Sequence, residues 1–544
     1  MSSSQAPAPA LPAAVPVVLA SLWMAGPGNA ALWRELHALG LLQAREGWLL
    51  ALTLAGMVAA ALYVLLSLMA WRPLLKPAIA LLLLASAVGA HFMWAYHVVI
   101  DPGMASNALQ TDWHEASALL TPWLAGVVLL AGVLPAALLW RLPVRRLPWG
   151  RQALRNATAA VGGTLLFAGL ALAGFQPLAA SMRNHKELRY LLNPLNSLYA
   201  LGDAAFGRQR VTTALAPVGL DAHVAAVGER PRLLLLVLGE TGRSGNFGIN
   251  GYGRDTTPEL ARAHAVSFRN AWSCGTSTAA SLPCMFSPLG RDAFLGRRQE
   301  SENLLDVLHH AGLAVLWVDN QPGGCKGVCD RVPHVNTSAL HDPVLCAGGE
   351  CHDEILLAGL DARLAALPQA QRRQGVVLVL HQMGSHGPDY ARRVPPAFQR
   401  FRPECTSSYL PDCSPQQLRN AYDNTIAYTD HVLAAAIGWL RQRSDYDGAL
   451  LYVADHGESL GENNLYLHGL PYALAPDVQK HVPWITWLSP GFERAAGLGM
   501  QCLRGGADLR LTHDALFHSV LGLMQVSTSA YQRRLDAYAA CAAP

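Results

Sequence analysis

The sequence predicts an α-helical membrane domain with five spans, followed by an α/β domain whose mostly parallel sheet carries helices on both faces. Hydrophobic residues make 51% of the 544 and charged residues only 15%, and the apolar excess sits in the first third of the chain. Beyond it, short runs rich in Val, Leu and Ile alternate with helical patterns. All ten cysteines also lie beyond it.

The spans come first. Trp48–Trp71 carries no charged residue over 24 positions, enough to cross a hydrocarbon core of about 30 Å as a helix. Leu11–Leu32, Pro77–Ile100, Leu119–Trp140 and Ala157–Leu178 carry none either. Leu11–Leu32 is interrupted by Pro12, Pro16, Pro27 and Gly28, but no Lys or Arg precedes Arg34. It therefore lacks the basic start of a signal peptide and counts as a span. Arg72 and Lys76 join the second span to the third, and Arg141, Arg145, Arg146, Arg151 and Arg155 lie between the fourth and fifth. The third-to-fourth connection holds Asp101, Asp112 and Glu115 and no Lys or Arg. Basic loops stay inside, so the amino terminus is expected in the cytoplasm and everything after the fifth span in the periplasm or exterior. A net charge of +3 gives no reason to expect a nucleic-acid partner.

Cysteine usage agrees with an exported second half, because an even number confined there argues for disulfides in an oxidising compartment. Spacing suggests Cys274–Cys284, Cys325–Cys329, Cys346–Cys351 and Cys405–Cys413, leaving Cys502–Cys541. The alternative is a cysteine-type zinc site at Cys325-x-x-x-Cys329, although no second pair has matching spacing.

Three regions follow from this pattern: residues 1–180 as the membrane domain, 181–231 as a linker over the membrane surface, and 232–544 as the exported α/β domain. The linker holds short amphipathic helical patches such as Leu195–Phe206. In the α/β domain, strands are predicted at Leu233–Leu238, Leu313–Val318, Val376–Leu380, Ala449–Val453 and Trp484–Leu488. Helices are predicted over Leu304–Ala311, Asp353–Leu367 and Pro415–Arg443.

Ligands of such sheets gather beyond the carboxyl ends of the strands. Glu240 follows the first of these strands, His381 and His386 the third, and Asp455 with His456 the fourth. Singly they have plain readings: Glu240 as a helix cap or surface charge, and His386 or His468 as structural histidines. Their convergence on one edge argues for a single metal site. Carboxylate and imidazole ligands beside a hydroxyl suit displacement at phosphorus, where a divalent metal lowers the pKa of the attacking group. Thr278 lies between Cys274 and Cys284, near the start of a short helix bounded by Pro283. A hydroxyl there gains from the positive potential of a helix amino terminus. Thr276, Ser277 and Ser281 compete for the same role.

Longer motifs surround these residues. They are Gly239-Glu240-Thr241, Ser273 to Thr278 with Pro283-Cys284-Met285-Phe286-Ser287, His381-Gln382-Met383-Gly384-Ser385-His386-Gly387-Pro388, and Asp455-His456-Gly457-Glu458-Ser459-Leu460-Gly461-Glu462-Asn463. With them the chain resembles the lipid A phosphoethanolamine transferases, including the mobile colistin-resistance enzymes, of the alkaline phosphatase and sulfatase superfamily. The resemblance covers nearly the whole chain, and Gln110 to Ala116 and Asn193-Pro194-Leu195-Asn196 carry it into the membrane half.

That resemblance implies an alkaline phosphatase/sulfatase-like fold and a role for each matching residue. Thr278 matches the nucleophile, and Glu240, Asp455 and His456 the other ligands of a primary zinc. His386 and His468 match positions that bind a second zinc or steady the substrate phosphate, so one Zn²⁺ is expected and a second is left open. Lys326 matches a basic residue facing phosphoethanolamine, which it would meet as a point charge. Glu115 would meet a lipid ammonium at the membrane edge, and His381 is placed with the substrate contacts.

The expected reaction is ping-pong transfer of phosphoethanolamine from phosphatidylethanolamine to a phosphate of lipid A, through a phosphothreonine-type intermediate. The enzyme would sit as a monomer in a bacterial inner membrane, in contact with its lipids. Its product would carry less negative charge and confer polymyxin resistance. The rivals are a membrane-anchored phosphodiesterase, sulfatase or glycerophosphotransferase, transfer to a core sugar of lipopolysaccharide, or a noncatalytic scaffold.

Overall fold

The computed structural model describes residues 10–43, 45–110, 113–207, 215–225, 228–321, 323–340, 342–347 and 349–542. The chain divides into two compact units, Met1–Ser106 with Leu120–Arg208, and Asn107–Leu119 with Gln209–Pro544.

Among the described residues of the first unit, five helices are long and apolar enough to cross a membrane: Ala14–Ala38, Gly47–Leu68, Leu75–Ala95, Pro122–Arg141 and Trp149–Ala173. The first is not continuous. Pro27 opens a 3-10 turn, Pro27–Asn29, between Ala14–Ala25 and Ala30–Ala38, because proline cannot donate to the preceding turn. The last begins eight residues before the predicted start at Ala157, and its opening arginines can reach outward from a helix end. Leu52, Leu81, Leu130 and Leu165 are 65%, 67%, 63% and 67% exposed, the outward apolar surface that a lipid solvent requires. After the fifth helix, Asn193 donates through Nδ2 to Gly28 O at 2.8 Å and Ser86 O at 2.7 Å. Asn29 Nδ2 donates to Asn193 O at 2.6 Å, so the Asn-Pro-Leu-Asn segment is tied to the first and third helices.

The second unit is built on eight strands: β1 (Arg232–Gly239), β2 (Val266–Trp272), β3 (Ala314–Asp319), β4 (His334–Asn336), β5 (Val376–His381), β6 (Asp447–Ala454), β7 (His481–Leu488) and β8 (Leu511–Thr512). Their order is β8-β2-β7-β6-β1-β5-β3-β4. All neighbours are parallel except β7, which runs antiparallel to both β2 and β6. All five predicted strands are present. Along β1 the leucines alternate between two cores. Leu234, Leu236 and Leu238 pack with Phe286, Trp317 and Phe517, while Leu233, Leu235 and Val237 pack with Leu418, Tyr422 and Ile426. Both faces are thus covered, as a near-continuous apolar strand requires.

Helix Leu304–His310 starts at an Asn303 capping box with Asp306, and Pro415–Arg441 at a Ser414 box with Gln417, each satisfying amino-terminal N–H groups. The predicted helix over Asp353–Leu367 is instead two pieces, a 3-10 turn at Asp353–Leu356 and a helix at Leu360–Ala366. Gly359 between them adopts φ 67°, a left-handed conformation that ends the first turn. The cysteines pair as Cys274–Cys284, Cys325–Cys329, Cys346–Cys351, Cys405–Cys413 and Cys502–Cys541. The bond between Cys325 and Cys329 uses the thiolates that a cysteine-type zinc site would need.

Candidate active site

Strand register assembles the site. Gly239 of β1 pairs with Ala454 of β6, so Glu240 and Asp455 leave the sheet side by side, with His456 next in the chain. All three are essentially closed to solvent, and a ligand atom from each lies within 4.8 Å of the others. His456 Nε2 is 3.3 Å from Glu240 Oε1 and 3.4 Å from Asp455 Oδ2.

Thr278 is the first residue of helix Thr278–Met285, with Ser277 as the extended residue before it. The helix runs through Pro283 rather than stopping there. Thr278 Oγ1 lies 3.0 and 3.2 Å from the two Glu240 carboxylate oxygens and 3.4 Å from His456 Nε2. Two competing hydroxyls are engaged elsewhere: Thr276 donates to Leu470 O at 2.6 Å, and Ser281 accepts from Gly275 N at 2.9 Å. Thr276, Ser277 and Ser281 are buried, whereas Thr278 is partly open.

Two buried carboxylates at this spacing demand a cation. Burial pushes the Asp455 carboxyl up and the Glu240 charge adds to it. For Glu240, burial is outweighed by the hydrogen bond and charge of His456, which hold it well below the usual carboxylate range. The His456 imidazole is pushed up to about 10, burial being overcome by the Asp455 and Glu240 carboxylates. Asp455 Oδ2 is buried with no hydrogen-bond partner among the described residues. Hard oxygen donors, one imidazole and an adjacent hydroxyl are a donor set that fits a tetrahedral zinc ion.

The remaining candidates fall around this cluster. The His468 ring lies tilted 4.3 Å from that of His456 and edge-on 5.8 Å from that of His386, between centroids, and its Nδ1 is 3.3 Å from the buried Glu458 carboxylate. His381, at the end of β5, is fully buried and meets Asp319 through Nδ1 at 3.2 Å. Lys326 follows Cys325 with φ 49°, and its ammonium is 3.5 Å from Gln110 O in the same unit. The Glu115 side chain and Pro322 lie outside the described residues.

Two contributors were missed. Gln321 donates through Nε2 to Glu240 Oε2 at 2.8 Å, fixing that carboxylate from the loop after β3. His513 joins Cys274 N, at 3.1 Å, to Ala454 O, at 3.0 Å. Gln321 occupied the predicted ligand edge, but neutral side chains carried no weight there; His513 had no motif around it.

The sulfatase family model matches residues 232–526, and the family model described as phosphoethanolamine transferase EptA/EptB matches residues 58–207. EptA of Escherichia coli strain K12 is 39% identical over 488 residues, covering 88% of each chain. The chain belongs to the EptA/EptB phosphoethanolamine transferase family. The phosphatidylethanolamine transferase Mcr-1 of Escherichia coli is 37% identical over 498 residues, 89% of this chain and 90% of its own. Among solved structures, the integral membrane lipooligosaccharide phosphoethanolamine transferase A of Neisseria meningitidis superposes with a TM-score of 0.93. It is 34% identical, over 98% of this chain and 100% of that one. As an EptA/EptB member, the chain combines a multi-pass helical membrane part with a sulfatase-like α/β domain, as its motifs implied.

Proposed function

We propose that this enzyme transfers phosphoethanolamine from phosphatidylethanolamine to a phosphate of lipid A, by way of a covalent intermediate on Thr278. The observation that carries the proposal is the Thr278 hydroxyl, partly open and 3.0 Å from Glu240 in a buried Glu-Asp-His cluster. A relative named for phosphatidylethanolamine transfer supports the donor, and one named for Kdo(2)-lipid A supports an acceptor that contains lipid A.

In the first half-reaction Thr278 Oγ bonds to phosphorus as the phosphorus–oxygen bond to diacylglycerol breaks, and in net balance the hydroxyl proton ends on diacylglycerol. In the second, an acceptor oxygen bonds to the same phosphorus and Thr278 is released. Glu240, Thr278, Asp455 and His456 would hold a zinc ion, which when bound lowers the pKa of the hydroxyl and neutralises charge on the transferring group. Gln321 keeps Glu240 oriented. His386 and His468 would hold a second zinc or steady the substrate phosphate, and Lys326, Glu115 and His381 would serve the substrate.

The basic loops support an amino terminus in the cytoplasm, with residues 1–180 as an inner-membrane domain, 181–231 as a linker and 232–544 as a periplasmic catalytic domain. Adding an ammonium beside anionic phosphates weakens binding of cationic polymyxins. Mass spectrometry of lipid A from cells with and without the protein tests this. A gain of one phosphoethanolamine on a lipid A phosphate is expected. Its appearance on a core sugar instead would correct the acceptor, and unmodified lipopolysaccharide would overturn the reading.

A further inference from the structure

A second polar site lies inside the membrane unit. A cleft of about 310 Å³ opens where the start of Ala14–Ala25, the end of Arg45–Leu68 and the start of Trp149–Ala173 come together, within the range of ligand sites, roughly 300–1,000 Å³. Its rim is fixed by backbone bonds. Leu11 N donates to Pro143 O at 2.7 Å, and Arg145 N donates to Leu11 O at 2.8 Å. At the same end Trp71 and Trp149 stack with ring centroids 5.1 Å apart, the aromatic composition usual at a membrane–water boundary.

The lining is polar where lipid-facing helices are otherwise apolar. Tyr63, Ser67, Gln152, Arg155 and Asn156 contribute to it. Asn156 is 6% exposed; its Oδ1 accepts from Gln152 Nε2 at 2.7 Å, while its Nδ2 is buried with no acceptor among the described residues. An amide donor at membrane depth is costly without a partner. The charge is one-sided as well. No Asp or Glu lies between Glu115 and Glu187, a stretch that holds Arg141, Arg145, Arg146, Arg151 and Arg155, and no carboxylate lines the cleft.

We propose that this cleft binds the phosphate of an anionic phospholipid head group. Basic pockets between membrane helices recognise such head groups, and the amide and hydroxyl donors supply hydrogen bonds to phosphate oxygens. A zwitterionic phosphatidylethanolamine would bring an ammonium that finds the Arg155 guanidinium and no carboxylate among the described lining residues, so the donor lipid of the reaction is the poorer fit. That the site faces the cytoplasmic leaflet rests on the amino-terminus-inside orientation proposed above.

Native mass spectrometry of the full-length protein in detergent, with phosphatidylglycerol and phosphatidylethanolamine of matched acyl chains, tests this. Phosphatidylglycerol retention is expected to fall about fivefold in Arg155→Ala, and further in the double variant Gln152→Leu and Asn156→Leu, with phosphatidylethanolamine retention unchanged in both. Phosphatidylglycerol retention that ignores both variants, or an equal fall for the two lipids, would overturn the site. Arg155 is exposed, so its variant alone decides if the double variant misfolds. Retention of inorganic phosphate in place of phosphatidylglycerol, when both are offered at equal concentration, would make the occupant a free anion and overturn the lipid assignment. Detergent removes orientation from that result. Labelling of Arg151→Cys by an impermeant maleimide outside intact cells would overturn the leaflet assignment separately.

Discussion

The imidazole of His513 accepts a hydrogen bond from Cys274 N at 3.1 Å, and its other nitrogen donates to Ala454 O at 3.0 Å. Cys274 opens the disulfide loop that carries Thr278, and Ala454 immediately precedes Asp455, so one buried ring ties the hydroxyl to the carboxylate cluster. Losing it would let the two drift by fractions of an ångström, enough to harm a positioned reaction. His513→Ala is expected to lower transfer about 10–100-fold with zinc content retained, and His513→Gln, which can still donate and accept, to lose less. Equal loss in both variants, measured as diacylglycerol release, would remove the positioning role.

The same residue sets an acid limit on stability. Burial, aided by the His456 charge, pushes the His513 imidazole down from 6.5 to about 3. The folded chain therefore refuses a proton that the unfolded chain takes up. The stabilising contribution is present above pH 6.5 and is lost as pH falls from 6.5 towards about 3. His513→Gln should show a shallower loss of unfolding free energy on acidification than the parent protein. Identical slopes would assign the acid sensitivity elsewhere.

Asp455 and Glu240 make a metal-binding prediction. Purified protein is expected to retain at least about one zinc per chain, and Asp455→Ala to lose both metal and activity. Full zinc occupancy in that variant by elemental analysis would remove Asp455 from the ligand set. Chelation of the parent protein should also lower its unfolding temperature, because the buried carboxylates are left with less positive charge.

The Cys274–Cys284 bond encloses Thr278. Replacing both cysteines should reduce transfer more than expression, since a disulfide contributes about 2–4 kcal/mol and restricts the loop. Peptide mapping under nonreducing conditions checks the bond itself, and two free thiols would defeat the clamp.

What was legible depended on local pattern. Leu233–Leu238 is apolar on both faces and could only be a covered strand, and the residues after it and after Ala449–Val453 fell at one edge whatever the sheet order. Val266–Trp272 was illegible because Arg269 and Asn270 interrupt its burial. The reversed direction of β7 leaves no trace in Trp484–Leu488, since an apolar run reads alike both ways. Gly359 broke a helix through backbone conformation that periodicity does not report. On local pattern alone Thr278 stands level with Thr276, Ser277 and Ser281, and the hydrogen bonds of Thr276 and Ser281 with the burial of Ser277 separate them; His513 acts through contacts with residues far away in sequence.

The central claim is that Thr278 carries the transferred group. Incubated with phosphatidylethanolamine and no acceptor, the enzyme should release diacylglycerol in a burst, and fragmentation should place one added phosphoethanolamine on Thr278. Added mass on Thr276 or Ser277, or an undiminished burst in Thr278→Ala, would contradict it.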